Sequence, residues 1–347
     1  MSKVTIITPS RIHLALIDLN GSLGRVDGGI GLSLSYPGFE ISAQYADNTK
    51  IIGTNEIVLR SKNILNTLQK KFAVGNVRIE IKQNIPTHVG LGSGTQLSLG
   101  IAQAINSLFD LNLTPQEMAF IVGRGGTSGI GVASFSHGGF IIDGGHEFSK
   151  DEVCIGKKSS FLPSSASKGI KPPPIIFRHD FPDWDILITI PNCKHISGEE
   201  EVRLFRTLCP VSLNDVQSIS HIVLLKLMPS IIQQDLLSFG DAIKQIQSIG
   251  WKKIEINEQD EIVRKTMTFL DENGGYGVGL SSWGPAIFCF GEDLRQLESK
   301  TKEFLLDRNP EGYCFLTRAN NTGSTTIDEK RIYGNRLETA NEQRAFH

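Results

Sequence analysis

The sequence predicts a two-domain α+β protein, and three observations predict it. The chain has 347 residues, about twice the usual length of one domain. Its first half alternates strand-like and helix-like apolar patterns, and its second half runs strand, helices, strand, helix, strand. Between them, residues 149–183 break the pattern. There Lys157 and Lys158 precede a serine-rich run (Ser159, Ser160, Ser164, Ser165, Ser167) and the triple proline Pro172–Pro174. That is the composition of a linker or a long covering loop. The expected units are therefore 1–155, a linker or covering loop over 156–183, a second domain over 184–318, and a polar tail over 319–347.

The elements follow in chain order. Val4–Ile7 and Ile12–Ile17 read as strands. Ile64, Leu65, Leu68 and Phe72 have helical spacing, and Val77, Ile79 and Ile81 alternate with charged residues as in a half-buried strand. A loop over Asn84–Gly94 leads into a helix marked by Leu97, Ile101, Ala104, Ile105 and Leu108. Thr114-Pro115-Gln116-Glu117 has the pattern of a capping box with proline at the first helical position. Phe140–Ile142 is a short strand. Beyond the break, Ile186–Ile190 is a strand, helical patterns occupy about 213–227, 230–249 and 258–272, and Ala286–Phe290 is a strand. A helix near 293–306 and a strand at Tyr313–Thr317 complete the second unit.

Composition narrows the function. Apolar residues make up 39% and charged residues 21% of the chain, which excludes a fibrous or wholly disordered protein. The formal net charge of −2 is not that of a polycation built for nucleic acid, although a local pocket can still bind small anions. No apolar run approaches the length of a membrane span: Ile222–Leu225 stops at Lys226. The N-terminal stretch has no basic region followed by an apolar core and cleavage site. Five cysteines (Cys154, Cys193, Cys209, Cys289, Cys314) lie far apart without CxxC spacing. The expectation is a reduced cytoplasmic protein with no zinc site or disulfide framework.

Of the 35 glycines, many cluster at 21–38, 90–100, 123–145 and 274–284, as in loops where the backbone approaches something closely. The strongest local signal is Pro86-Thr-His-Val-Gly90-Leu91-Gly92-Ser93-Gly94-Thr95, between a predicted strand and a long helix. Backbone N–H groups at a helix start, with Ser93 and Thr95 hydroxyls beside them, suit a phosphate; a glycine-rich turn that only caps the helix is the plainer alternative. The stretch is neither a Walker A loop nor a dinucleotide fingerprint.

This loop resembles the PxxxGLGSSAA motif of the GHMP small-molecule kinase superfamily. Gly126-Thr127-Ser128-Gly129-Ile130 with Gly138-Gly139 resembles that superfamily's SGxD…GG landmark, and Gly277–Gly284 sits where its C-terminal glycine motif belongs. Two departures argue against a kinase. The aspartate of SGxD, which orients or deprotonates the attacking hydroxyl, is replaced by Gly131, and Thr95 and Gln96 replace small apolar residues. A non-kinase branch fits better. The runs Thr8–Gly21, Gly24–Gly31, His88–Gln96 and Gly123–Gly131 together resemble the β-ribofuranosylaminobenzene 5′-phosphate synthase family of methanopterin biosynthesis.

The resemblance implies a ribosomal-protein-S5-like first domain, a ferredoxin-like second domain, and an active site in the cleft between them. It implies a decarboxylating glycosyltransferase (pentosyltransferase) that joins 4-aminobenzoate or 4-hydroxybenzoate to phosphoribosyl pyrophosphate, releasing carbon dioxide and pyrophosphate. Magnesium on the pyrophosphate and a homodimer are further expectations of the family. An ATP-dependent kinase and a non-catalytic phosphosugar sensor are the alternatives.

Several residues carry two readings each. Arg11 and His13 lie two apart on a strand and face one side; they are either a cationic contact for phosphate or carboxylate, or an edge arginine and a core histidine. Asp18 and Asp27 are candidate ligands for magnesium or ribose hydroxyls, or turn residues. Arg25 is a candidate pyrophosphate contact or a surface arginine, and His88 a phosphate donor or a loop brace. Arg124, Thr127 and Ser128 form a donor cluster in a glycine-rich turn, read as a second anion site. Ser281 and Ser282 are expected to line the pocket from the second domain. Trp283 either stacks on the aromatic acceptor or packs in the core. Asp143 and His146 are too isolated to propose as a metal site.

Overall fold

The computed structural model describes residues 3–149, 157–163, 169–196 and 198–329. The first half contains β1 (Lys3–Ile7), β2 (Ser10–Asp18), β3 (Arg25–Leu34), β4 (Glu40–Tyr45), β5 (Lys50–Ile52), α1 (Asn55–Lys71), β6 (Val77–Gln83), α2 (Ser93–Leu108), α3 (Pro115–Ile121), α4 (Ile130–His137), β7 (Phe140–Asp143), β8 (His146–Glu147) and β9 (Ile175–His179). The second half contains β10 (Asp185–Ile190), α5 (Glu199–Leu208), α6 (Leu213–Ile222), a π-helical turn (Val223–Leu227), α7 (Met228–Ile232), α8 (Leu236–Gln247), α9 (Gly250–Asn257), α10 (Glu261–Glu272), β11 (Tyr276–Leu280), β12 (Ile287–Gly291), α11 (Arg295–Arg308), β13 (Tyr313–Thr317) and β14 (Thr325–Asp328).

Three sheets organise these elements. One has the order β14-β1-β4-β6-β5, a second β2-β3-β7-β9 with β8 paired to β3, and a third β11-β12-β10-β13. Counted along the chain, the third sheet reads second, third, first, fourth, and all its pairs are antiparallel. That is the ferredoxin-like order expected for the second domain. α2 packs between the first sheet and α1, α3 and α4, which fixes its N-terminus at the junction of the halves. Its apolar stripe is buried almost throughout, so helix packing rather than propensity holds it. The Thr114–Glu117 capping box forms as the sequence indicates, with Thr114 Oγ1 accepting from the Glu117 N–H.

Four expectations need correction. The glycine-rich stretch after Asn20 is not all loop, because Arg25–Leu34 is a strand with Val26–Leu34 buried. Its glycines are there for contact: a Cβ on Gly29 would lie 2.4 Å from Ser128 Oγ, and one on Gly31 2.3 Å from Ile130 Cγ2. The segment 156–183 is not merely a connector. Its β9 pairs antiparallel with β7, from Phe140↔His179 to Asp143↔Ile175. The tail is structured as far as residue 329: β14 pairs with β1 at Thr5↔Ile327, while 330–347 and Cys154 lie outside the described residues. Finally, α6, the π turn and α7 form one 20-residue helical stretch of mean hydropathy 1.2, long and apolar enough by composition to cross a membrane. Its Ile219, Leu227 and Ile231 are buried in the core, as in a core helix. Helix α4, buried on nearly every side, carries no clear periodic signal in the sequence.

The core does not divide at the domain boundary. One cluster of buried side chains runs from Val4 and Ile6 in β1 through Phe140 and Trp184 to Ile186, Phe239, Phe288 and Phe290.

Candidate active site

The phosphate-loop candidate runs from β6 into α2. Gly90 has φ +92°, and a Cβ there would lie 2.3 Å from the Ser281 carbonyl oxygen, so only glycine fits. Gly92 caps α2 with φ +78°, and its carbonyl accepts the N–H groups of Thr95 and Gln96, each at 3.1 Å. The first N–H groups of a helix have no partner within it, so the mouth of α2 at Ser93 and Gly94 is an anion-seeking pole.

Three guanidinium groups converge on this mouth. Arg11 packs on Gly92, where a Cβ would lie 3.0 Å from its Cγ, and its Nη1 donates to the Gly90 carbonyl at 2.5 Å. Arg60 of α1 and Arg124 approach Gly94 from the other side, with Nη atoms 3.0 and 3.3 Å from where a Cβ would sit. Burial lowers Arg11 to about 10. Arg124 is lowered by burial and then by the nearby Arg60. Both stay charged at neutral pH, because a guanidinium keeps its proton there. Arg60 had no signal in the sequence beyond its place on a helical pattern.

Beside the mouth lies a cavity of about 220 Å³ to which the two halves of the chain contribute opposite chemistry. The first half supplies Arg11, His13, Thr95, Arg124, Thr127 and Ser128; the second supplies Glu201, Phe205, Glu255, Ser282 and Trp283. Arg11 and His13 do share one face, as their spacing in β2 predicts. His13 is 6% exposed and neither ring nitrogen has a hydrogen-bond partner. Burial, then Arg11 and Lys252, hold its pKa well below the ordinary value. It is therefore neutral at pH 7 and presents one N–H and one lone pair to whatever fills the cavity.

Gly131, at the first turn of α4, also lines the cavity. A Cβ there would lie 3.0 Å from Thr95 Cγ2 and 3.3 Å from Thr95 Oγ1, and Gln96 Nε2 donates to the Gly131 carbonyl at 2.8 Å. The two departures from the kinase motifs are thus one feature: enlarged side chains at 95 and 96 pack against a residue that has none.

Comparison with known proteins decides the family. Residues 57–139 match the family model described as GHMP kinases N terminal domain, and residues 227–304 match GHMP kinases C terminal. A protein of Methanocaldococcus jannaschii named beta-ribofuranosylphenol 5′-phosphate synthase is 43% identical over 328 residues, covering 91% of this chain and 98% of its own. One of Archaeoglobus fulgidus with the same name is 42% identical over 318 residues, covering 91% and 97%. The chain belongs to the beta-ribofuranosylphenol 5′-phosphate synthase family. Solved structures sharing this family's fold include mevalonate diphosphate decarboxylase from Staphylococcus aureus (TM-score 0.59, 12% identity, covering 94% of this chain and 98% of that one). Another is the homoserine kinase of Listeria monocytogenes (TM-score 0.57, 15% identity, covering 93% and 99%). The synthase chain thus has the GHMP fold without the acid at position 131.

Not every residue singled out from the sequence reaches the cavity of this synthase-family chain. Ser281 is a brace: its Oγ accepts the His13 N–H at 3.0 Å and donates to the Gly90 carbonyl at 2.7 Å. Leu91 is buried. His88 does not line the cavity; it has φ +58°, and its ring stacks 5.5 Å from that of His195. Asp18 closes a turn, its Oδ1 accepting from the N–H groups of Asn20 and Gly21. Arg25 donates to the carbonyls of Gly144 and Gly145, both at 2.7 Å, and lines a separate cleft with Lys157, Lys171 and His146. Asp27 is fully buried, gripped by Lys158 Nζ at 2.9 Å and His146 Nδ1 at 2.6 Å.

These placements do not fit Asp18 and Asp27 as magnesium ligands, because turn N–H groups hold one carboxylate and a lysine and a histidine hold the other. Among the described residues no three His, Cys, Asp or Glu side chains converge to hold a metal ion. The residues the sequence reading missed are Arg60, Glu201, Lys252 and Glu255. Lys252 and Glu255 form a buried ion pair on α9, and Lys252 Nζ also donates to the Leu280 carbonyl at 3.1 Å. Burial pushes the Glu201 carboxyl up to about 7, with Glu255 adding to the shift and a hydrogen bond from Trp283 opposing it.

Proposed function

We propose that this chain is a decarboxylating pentosyltransferase of methanopterin biosynthesis. It would condense phosphoribosyl pyrophosphate with 4-hydroxybenzoate, or 4-aminobenzoate, and release carbon dioxide and pyrophosphate. The relatives are named for a ribofuranosylphenol, and a phenol product requires a hydroxyl on the acceptor ring; this favours 4-hydroxybenzoate over the amino compound.

The observation that carries the reading is the division of the cavity between a cationic side, with Arg11, Arg124 and the α2 mouth, and an aromatic side, with Phe205 and Trp283. A polyanionic sugar and a flat ring need those two surfaces side by side. The ring carbon bearing the carboxylate bonds to ribose C1 as pyrophosphate departs, and loss of carbon dioxide restores aromaticity. The protein's work is to bind the polyanion, stabilise the leaving charge and exclude water from a reactive sugar cation. The cationic groups at the α2 mouth serve the first two tasks, and the buried wall of Leu16, Phe205 and Trp283 serves the third. Magnesium enters this reading only as a counter-ion of the donor's pyrophosphate, part of the substrate, and no step is routed through it. Homodimerisation is likewise proposed on family grounds, and sedimentation velocity tests it.

The test is incubation with phosphoribosyl pyrophosphate, magnesium and carboxyl-labelled 4-hydroxybenzoate or 4-aminobenzoate, in parallel with ATP and candidate alcohols. Labelled carbon dioxide and pyrophosphate in the first arm are the expected result. ADP formation in the second, or binding without turnover in the first, would replace it with a kinase or a sensor.

A further inference from the structure

Glu201, in the first turn of α5, faces the cavity among Leu16, Phe205, Trp283 and Glu255, and anion binding gives it no task. Phe205, Trp251 and Trp283 form an aromatic box, with ring centroids 4.3 to 6.4 Å apart. The Glu255 carboxylate is already engaged in the buried ion pair with Lys252. His13 lies beside Arg11 on β2, toward the anion-binding side. Glu201 is the remaining carboxyl on the cavity wall among the described residues.

We infer that Glu201 is a catalytic base that accepts the proton of the acceptor's para hydroxyl, with the ring held at Phe205 and Trp283 and its carboxylate-bearing carbon turned toward the arginines. The inference rests on the proposed reaction and deepens it. The phenolic O–H bond breaks and its proton moves to the Glu201 carboxylate. The ring carbon bonds to ribose C1 while the C1–O bond breaks, its electron pair leaving with pyrophosphate. The bond to the carboxylate carbon then breaks, its electrons return to the ring as carbon dioxide departs, and the resulting phenoxide recovers the proton from Glu201. No further reactant is needed.

A base is useful because a phenoxide oxygen pushes far more electron density to the para carbon than a neutral hydroxyl does. An amino group needs no such help, since its lone pair is already free. A carboxyl whose pKa lies near working pH suits the task, and Glu201 sits at about 7. The charged and titratable groups around it are Glu255 and Lys252 from α9, Arg11 and His13 from β2, and Arg124 across the cavity; Trp283 donates to it from the β11–β12 turn.

The test is Glu201→Gln, assayed with both acceptors at saturating phosphoribosyl pyrophosphate. Turnover of 4-hydroxybenzoate should fall about 100-fold and that of 4-aminobenzoate less than about tenfold. The wild-type rate with 4-hydroxybenzoate should rise with pH through about 7, and that limb should vanish in the variant. Unchanged donor affinity by calorimetry shows that the variant is folded. If it is not, Glu201→Asp, which keeps a carboxylate, should retain the rise with pH for 4-hydroxybenzoate and lose about the same small factor with both acceptors. Equal losses with both acceptors, no loss, or a surviving pH limb overturns the inference. Absence of carbon dioxide release by the wild type with either acceptor overturns the reaction itself, which is a distinct result.

Discussion

His13 and Arg124 show how single side chains carry the site. His13 is buried and neutral, with its folded pKa depressed. Between the unfolded value of about 6.5 and the lower folded value, the unfolded chain binds the extra proton, so acidification below pH 6.5 favours unfolding. The fold should lose up to about 1.4 kcal/mol per pH unit through this group as pH falls below 6.5. Denaturant unfolding at pH 7 and pH 5.5 tests this by comparing wild type with His13→Gln: the difference between them should shrink toward the acid side. Glu201, whose pKa is raised, acts in the opposite sense but is common to both proteins. Arg124→Ala should weaken phosphoribosyl pyrophosphate binding about 10- to 100-fold, the usual worth of a charge-assisted hydrogen bond, read by calorimetry; unchanged affinity would remove Arg124 from the anion site. Arg11, His13, Thr95 and Arg124 were legible in the sequence because strand alternation and a glycine turn fix where they point. Glu201, Lys252 and Glu255 were not, because a carboxylate in a helical pattern looks solvated until the partner that buries it is known.

Helices α2 and α4 meet at Thr95 and Gly131, and their contact makes a signed prediction. Alanine is the better helix former by about 1 kcal/mol, yet a Cβ at 131 would crowd Thr95 at 3.0 Å. Gly131→Ala should destabilise the wild type and stabilise a Thr95→Ala background, and a double-mutant cycle of thermal or denaturant unfolding checks the sign. The Asp27–Lys158–His146 cluster joins β3, β8 and the segment after it. Asp27→Asn keeps a residue that tolerates φ +72° but leaves the Lys158 ammonium buried without its counter-ion. A loss of about 3–5 kcal/mol is expected, with no rescue by excess magnesium; a variant as stable as wild type would return Asp27 to the list of ligand candidates. Strands with period-2 alternation, such as β6, were readable in advance. β3 was not, because glycines admitted for close packing look the same in sequence as glycines admitted for turns. β14 is four residues without a periodic run, and only its pairing with β1 reveals it.

At the scale of the molecule, the halves are sewn together at the site. The Ser282 N–H donates to the His13 carbonyl at 3.0 Å, the Ala286 N–H to the Val89 carbonyl at 3.0 Å, and Gln247 Nε2 to the Leu14 carbonyl at 2.9 Å. With one apolar cluster spanning both halves, calorimetry should show a single unfolding transition with equal van't Hoff and calorimetric enthalpies; two resolved transitions would mean that the halves are independent. The break at 149–183 is visible in the sequence as a change of composition, whereas the shared core is not, since long-range contacts leave no local periodicity. The same stitching constrains synthesis. During translation β1 and the Gly90 loop leave the ribosome well before the turn that braces the loop and the strand that flanks β1. A nascent chain halted before Ser281 lacks the brace, so the Gly90 loop takes its final shape only after most of the second half has been made.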